Sequence, residues 1–191
     1  MDKEEKKTLE LAAFVIPHVL VLAMCMVLML SGAASPFWNY GFGVDSAGKV
    51  YVGENRKISI IENGEKVGSI PTWPGSYYVT VDEQDHVRII TYSKIRVLTL
   101  SGNVIEVIEE SNSKEYAHIS RYWKSVETPS GDVYKVVNSF GWPRIVKNGT
   151  ETVYRMSALS FAVKCLLGLV SISMFGNGIW LITRWKSIRT R

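Results

Sequence analysis

The feature that most constrains this chain is a long apolar run near its start. Residues 11–30 contain no ionisable side chain except that of His18. A helix rises about 1.5 Å per residue, so this run is long enough to cross a hydrocarbon core roughly 30 Å thick. A second apolar block occupies residues 165–182. We therefore predict a membrane protein with transmembrane helices at 11–32 and 158–183.

A cleaved signal peptide is the alternative interpretation of the first apolar run. The small residues at 31–35 resemble a site that a signal peptidase accepts. Against this alternative, the run exceeds the roughly 7–15 residues of a signal-peptide core, and residues 1–10 mix lysines with acids. These two features favour an uncleaved helix.

The basic segment 184–191 sets the expected orientation. It contains four Lys or Arg residues and no acid, and such clusters beside an apolar helix favour the cytoplasmic side. Two spans return the chain to the same side of the bilayer. We therefore expect a protein of the cell membrane with residues 1–10 and 184–191 in the cytoplasm and residues 42–155 outside it.

The net charge of +4 does not indicate a nucleic-acid partner. Between the apolar blocks, Lys and Arg are interspersed with Asp and Glu instead of forming one basic patch. Cys25 and Cys165 both belong to the apolar blocks, so the central region has no internal disulfide. We expect the lipid bilayer and either a protein partner or a second copy of the chain as partners, and no nucleic acid.

The second apolar block carries small and polar residues that suit close packing between helices. Small side chains let helix backbones approach each other in lipid, and polar side chains there can hydrogen-bond to a neighbouring helix. The predicted helix–helix contact residues are Gly168, Ser171, Gly176, Asn177 and Gly178. Contact with lipid headgroups is the alternative for Asn177. We expect His18 to reach the headgroups as well, with a functional intramembrane group as its alternative.

Residues 42–155 show the pattern of short β-strands throughout. Apolar and β-branched runs alternate with Gly, Asn, Asp and Ser, which is typical of strands joined by turns. Asn63-Gly64 and Asn148-Gly149 are strong hairpin signals because both positions of such a turn need a positive φ. We therefore predict an all-β domain between the two helices.

The pattern of strands and turn residues in this domain occurs three times. Each unit has an acid at the end of its first strand, which is suited to start a turn. A residue that tolerates a left-handed backbone follows. The acids are Asp45, Asp82 and Glu127, and the residues that follow are Gly48, Asp85 and Gly131. Each unit predicts a meander of four short strands.

The unit resembles the blade of a β-propeller of the NHL or YWTD kind. The resemblance covers residues 42–155 and rests on a strand, an acid, a turn with Gly, and a strand such as Val-Tyr-Val. Propellers close with roughly four to eight blades, whereas this sequence has three units. The resemblance therefore implies open edges that pair with another chain, for example in a six-bladed dimer. A β-sandwich or barrel of the three meanders is the alternative fold.

The sequence contains no recognisable catalytic constellation. The three histidines are far apart, and no His, Cys and carboxylate cluster has the spacing of metal ligands. The recurring acids could converge to hold a cation, but turn initiation at one strand end explains the same spacing without a ligand and is the favoured interpretation. We expect no enzymatic activity, no catalytic residue, no cofactor and no metal. A carboxylate-bound metal enzyme is the least favoured function.

Aromatic residues gather where the units join. In a repeated β fold such residues usually wedge between neighbouring units. The alternative is an exposed recognition surface, because aromatic side chains are favoured anchors for protein partners. The candidate partner-binding residues are Trp73, Tyr77, Tyr122, Trp123 and Trp142. We predict a membrane-tethered, non-catalytic binding or sensing module. The alternative is an accessory subunit of a larger membrane complex assembled through the transmembrane helices.

Overall fold

The computed structural model describes residues 3–35, 40–73, 76–109, 124–139 and 142–189. The chain divides into two compact units. The helical unit comprises Met1–Pro36 and Ala158–Arg191, and the β unit comprises Phe37–Ser157. These boundaries follow the change from apolar blocks to strand pattern in the sequence.

Two long helices form the helical unit. Helix α1 spans Lys3–Leu30 and contains Pro17, and helix α2 spans Ala158–Arg189. Within them, Ala12–Leu30 and Ala158–Asn177 are long and apolar enough to cross a membrane, with mean hydropathies of 2.6 and 1.9. The two apolar helices predicted from the sequence are therefore present.

The two helices pack against each other over a small buried cluster. Cys25 and Ala34 from the first segment meet Val163 of α2 there. The backbone N–H of Ser35 donates to Oγ of buried Ser160, at 2.8 Å. Apolar residues that are partly buried around this cluster are Val21, Leu28, Met29, Leu166 and Leu167.

Three antiparallel sheets of four strands form the β unit, and in each the strands follow one another in chain order. Sheet 1 contains β1 (Phe42–Val44), β2 (Val50–Glu54), β3 (Lys57–Glu62) and β4 (Glu65–Pro71). Sheet 2 contains β5 (Tyr78–Val81), β6 (Val87–Ile90), β7 (Lys94–Leu98) and β8 (Val104–Glu109). Sheet 3 contains β9 (Ser125–Glu127), β10 (Val133–Ser139), β11 (Trp142–Lys147) and β12 (Glu151–Arg155). The three predicted meanders are thus confirmed.

The hairpin turns use the residues that the sequence indicated. Asn63 and Asn148 adopt φ of 51° and 49°, each followed by a Gly with positive φ. Asp85 has φ of 59°, as expected from its place in the second unit. Arg56, between β2 and β3, also has a positive φ of 63°, and nothing in the repeat pattern predicted it.

Sheets 1 and 2 pack closely through their first strands. Gly41 forms a parallel bridge with Val79, whose N–H donates to the carbonyl of Tyr40 at 2.8 Å. A Cβ at Gly43 would lie 2.3 Å from the backbone nitrogen of Val81, so only glycine fits there. The shared core comprises Tyr51, Ile58, Ile70, Tyr77, Val79, Val87, Ile89 and Leu98.

Sheet 3 contacts sheet 1 through its last strand. The Tyr154 hydroxyl on β12 donates to Oε1 of Glu54 on β2, at 2.8 Å. Burial, and then the Glu54 carboxylate, raise the pKa of Tyr154 well above its usual range. The three sheets do not close into a propeller ring among the described residues. The resemblance to propeller blades therefore extends to the meanders and not to a closed ring.

Each sheet has a β-bulge in its last strand, β4, β8 or β12, which we call the outer strand. The sequence pattern did not predict these bulges. In each case two consecutive residues of the inner strand pair with outer-strand residues that are two apart, which leaves one residue of the outer strand unpaired. The extra residues are Val67 in β4, Ile105 in β8 and Val153 in β12. This shared irregularity supports the threefold repetition independently of the sequence pattern.

Candidate functional site

The outer strand β8 is exposed along its whole length. Its four large apolar residues, Val104, Ile105, Val107 and Ile108, are between 37% and 53% exposed. One edge of the strand pairs with β7, and no strand pairs with the other edge in the described part of the chain. In contrast, β4 buries Ile70 and β12 buries Val153. An open edge presents unpaired N–H and C=O groups that can accept a further strand.

The two faces of β8 carry different side chains, because successive residues of a strand point to opposite sides. Val107 lies opposite Arg96 of β7, on one face. Glu106 lies opposite Val97, on the other face. Glu109 forms an ion pair with Lys94 at 3.6 Å, whereas the described residues offer Glu106 no such partner. The open edge is therefore apolar with an unneutralised acid near its middle.

Trp73 extends this surface. The Arg96 guanidinium lies 3.9 Å from the centroid of the Trp73 ring, a cation–π contact. Trp73 remains 54% exposed, as a candidate partner-binding residue requires. We call Trp73, Arg96 and residues 104–109 the β8 surface. An exposed tryptophan beside an arginine is the composition typical of an interface hot spot.

Tyr77 does not have the surface position that a partner-binding role needs. It is 3% exposed, and its ring lies 4.8 Å from that of Tyr40, centroid to centroid. Its hydroxyl contacts the backbone carbonyls of Glu54 and Lys57. Burial raises the pKa of Tyr77 well above its usual range. Tyr77 therefore has the position expected of an aromatic wedge between sheets 1 and 2.

The remaining candidate aromatics divide into two groups. Trp142 is half-buried, and its ring N–H donates to the carbonyl of Met156 at 2.7 Å. The Arg155 guanidinium lies 5.7 Å from the same ring. Trp142 therefore ties β11 to the end of β12. Tyr122 and Trp123 lie outside the described residues, so their role stays a prediction.

The recurring acids act at turns. Oδ1 of Asp45 accepts the N–H of Lys49 at 2.8 Å. Oδ1 of Asp82 accepts the N–H of His86 at 2.9 Å. Both carboxylates thus accept backbone N–H groups of their own turn, as turn-initiating residues do.

The third unit differs from the prediction by one residue. Thr128, and not Glu127, occupies the position of Asp45 and Asp82, because its N–H donates to the carbonyl four residues on, that of Asp132. Its hydroxyl donates to the same carbonyl at 3.2 Å. Glu127 is instead the exposed last residue of β9. The three predicted acids therefore do not form an equivalent set, and no group of three or more His, Cys, Asp or Glu side chains suited to a metal ion occurs among the residues that the structure describes.

A carboxylate links the first turns of sheets 1 and 2. Asp85 accepts hydrogen bonds from the backbone N–H of Ser46, at 2.8 Å, and from the Ser46 hydroxyl. These two bonds hold the pKa of Asp85 below its usual value. The sequence indicated Asp85 as a turn residue but gave no sign of this contact between units.

The helical unit contains a polar contact inside the apolar segments. His18 of α1 has its Nδ1 2.7 Å from the Phe14 carbonyl and its Nε2 2.9 Å from Oγ of Ser173 on α2. A carbonyl only accepts, so Nδ1 donates to the Phe14 carbonyl, and Nε2 forms a hydrogen bond with the Ser173 hydroxyl. His18 therefore bonds the other helix, which is not the headgroup contact that we expected.

Two of the predicted small residues of α2, Gly168 and Gly176, make no close contact with α1 in the described part of the chain. A Cβ at Gly168 or Gly176 would meet no atom within 4 Å. The Ser171 hydroxyl donates to the Leu167 carbonyl of its own helix, and the Asn177 amide donates to that of Ser173. Gly178 lies within α2. Gly168 and Gly176 therefore have open space beside them within the described part of the chain, whereas Asn177 is partly buried.

Comparisons with known proteins add no family. No protein-family model matches the chain, and no curated protein matches it. Among solved structures, it is similar to a crystal structure of a protein of unknown function from Bacteroides caccae, with 12% identity and a TM-score of 0.31. The match covers 61% of this chain and 45% of that one, so the chain spans less than half the length of that protein. A likeness this weak supports no conclusion about fold or function.

Proposed function

We propose that this chain is a membrane-tethered, non-catalytic binding module that presents its β unit outside the cytoplasm. The observation that carries the proposal is the β8 surface, an open strand edge with exposed apolar residues next to Trp73. Such a surface is costly to leave in water without a partner. The termini lie in the cytoplasm in this proposal, because the basic segment 184–191 favours that side.

Membrane tethering is supported by what the helices expose. Leu169, Ile172 and Phe175 of α2 are more than 60% exposed, and the described part of α1 shows the same pattern at Leu20 and Val27. Both helices have the length and hydropathy of a span. Lipid is the environment in which this arrangement is stable.

Site-specific photo-crosslinking in the host membrane tests the proposal. A photoreactive residue replaces Trp73 or Val107 of the β unit in the full-length chain, and Ile172 of α2 in a matched control. We expect adducts with one discrete protein from the two β-unit positions and lipid adducts from the helix. Protein adducts from Ile172 alone would contradict a binding role for the β unit.

An accessory subunit assembled through α2 is the second candidate function. It is favoured by the open face of Gly168 and Gly176, which α1 leaves free. Small residues allow close approach of another helix in lipid. Replacing both glycines with Leu should then disrupt a complex that survives mild detergent. Retention of the complex in this double variant would count against the second candidate.

A further inference from the structure

We propose that β8 binds an extended basic and apolar polypeptide segment, which adds to sheet 2 as a fifth strand. This inference rests on the proposed function and specifies the partner's chemistry. The edge of β8 with which no described strand pairs offers main-chain donors and acceptors, and the exposed Val and Ile side chains offer apolar contacts on both faces. Strand addition to an open sheet edge uses these two elements.

The charge of Glu106 favours a partner strand with a basic side chain. Glu106 is exposed and has no ion pair among the described residues, whereas Glu109 is already paired with Lys94. Opposite charges directly across two strands are stabilising, and like charges there are destabilising. A strand with Lys or Arg opposite Glu106 and β-branched residues beside it therefore complements this edge.

A second copy of the chain complements the edge less well. When β8 pairs antiparallel with a second β8 about a two-fold axis, equivalent side chains of the two strands lie on the same face of the sheet. Centring the pair on Glu106 places the two Glu106 side chains directly opposite each other. Centring it on Ile105 or Val107 places them diagonally, still within reach on one face. The repeated acid thus disfavours self-pairing and favours a basic partner.

The bulge at Ile105 limits how the partner pairs. Bulges twist an edge and interrupt regular pairing. The regular part of β8 runs from Glu106 to Glu109, where each residue has one partner in β7. The added strand is therefore expected to pair with this half of β8, which contains Glu106 and Val107.

Peptide binding to the full-length chain in neutral detergent tests the inference. The probes are capped peptides of about seven residues that alternate Val with Lys or Val with Glu. We expect the Val/Lys peptide to bind and to slow amide hydrogen exchange in residues 104–109. The Glu106→Lys variant should reverse the preference, each peptide's affinity changing by roughly fivefold. Glu65→Lys, on the outer strand of sheet 1, is the matched control and should keep the original preference.

Three outcomes would overturn the inference. They are no binding of either peptide, protection of a strand other than β8, and equal binding of both peptides. A concentration-dependent dimer that protects residues 104–109 without peptide would assign the edge to a second copy. If crosslinks from Trp73 or Val107 still reach a protein, the proposed function stands and only the strand-addition inference fails.

Discussion

The two units distribute their apolar and polar groups in opposite ways. In the β unit, Val52, Ile58 and Ile145 are completely buried. In the helical unit, only 6% and 17% of the two apolar spans are buried, and polar side chains such as those of His18 and Ser173 bond each other between the helices. The first arrangement suits water and the second suits lipid. The same chain therefore combines a unit packed as proteins in water are with a unit whose surface suits the lipid environment that we propose for it.

The largest expected effect comes from deleting buried volume in the β unit. Ile58→Ala should destabilise the sheets by about 2–5 kcal/mol, because Ile58 is fully buried in the core shared by sheets 1 and 2. Ile172→Ala, the same change at an exposed position of α2, should leave the sheets unaffected. Hydrogen exchange of the sheet amides in detergent-solubilised full-length protein measures both. Equal loss of protection in the two variants would contradict the separation of the units.

The next largest effect is on membrane integration, and it distinguishes an apolar side chain exposed to lipid from one exposed to water. Ile172→Asp places a charge in the second span and should cost about 2.5–3.5 kcal/mol of insertion free energy. Val67→Asp makes the same kind of change at an exposed apolar position of β4 and should have almost no effect. The fraction of the chain integrated into membranes measures both. A normal integrated fraction for Ile172→Asp would show that α2 does not face lipid there.

A smaller effect is expected at the polar contact between the helices. His18→Ala and Ser173→Ala should each weaken helix association by about 0.6–1.7 kcal/mol, and the double variant should lose little more than either single one. Ser171→Ala is the control, because the Ser171 hydroxyl bonds its own helix. Disulfide trapping of cysteines engineered at the facing ends of the helices reports the association. Fully additive losses would mean that the two side chains do not interact.

The smallest effect is a pH dependence in the β unit. The pKa of Asp85 is lowered by its bonds to Ser46. Its contribution to stability is therefore present above the ordinary Asp pKa of 3.8 and is lost as the pH falls through the lower pKa of the folded state. Asp85→Asn should make thermal unfolding less sensitive to pH in this acidic range. The exposed Glu83→Gln is the control, and an equal change in both variants would remove Asp85 as the cause.

Local patterns predicted the elements of this fold, and they missed contacts between distant residues. The apolar runs and the Asn-Gly turns specify their own conformation, so the helices, hairpins and meanders could be predicted. Glu54 and Tyr154 are separated by 100 positions, and His18 and Ser173 by 155. No local pattern encodes which of many polar residues will meet over such separations. The shift from Glu127 to Thr128 has a different cause, because a hydroxyl and a carboxylate can both start a turn.

The β8 surface has a signal in the sequence that is separate from the threefold repeat. Its sequence, Val-Ile-Glu-Val-Ile-Glu, lacks the alternation of a strand with one face in water. Apolar residues on both faces of an outer strand indicate either burial or an exposed edge that binds a partner. Sequence cannot distinguish these two, because the answer depends on whether another sheet packs against the strand.

Alkaline carbonate extraction of membranes that contain the full-length chain tests the central claim, that both helices have lipid as their solvent. The account predicts that the chain remains in the membrane pellet after extraction, dissolves only with detergent, and keeps residues 1–35 attached. A chain that retains those residues and still appears in the carbonate supernatant, or in plain buffer, would contradict it.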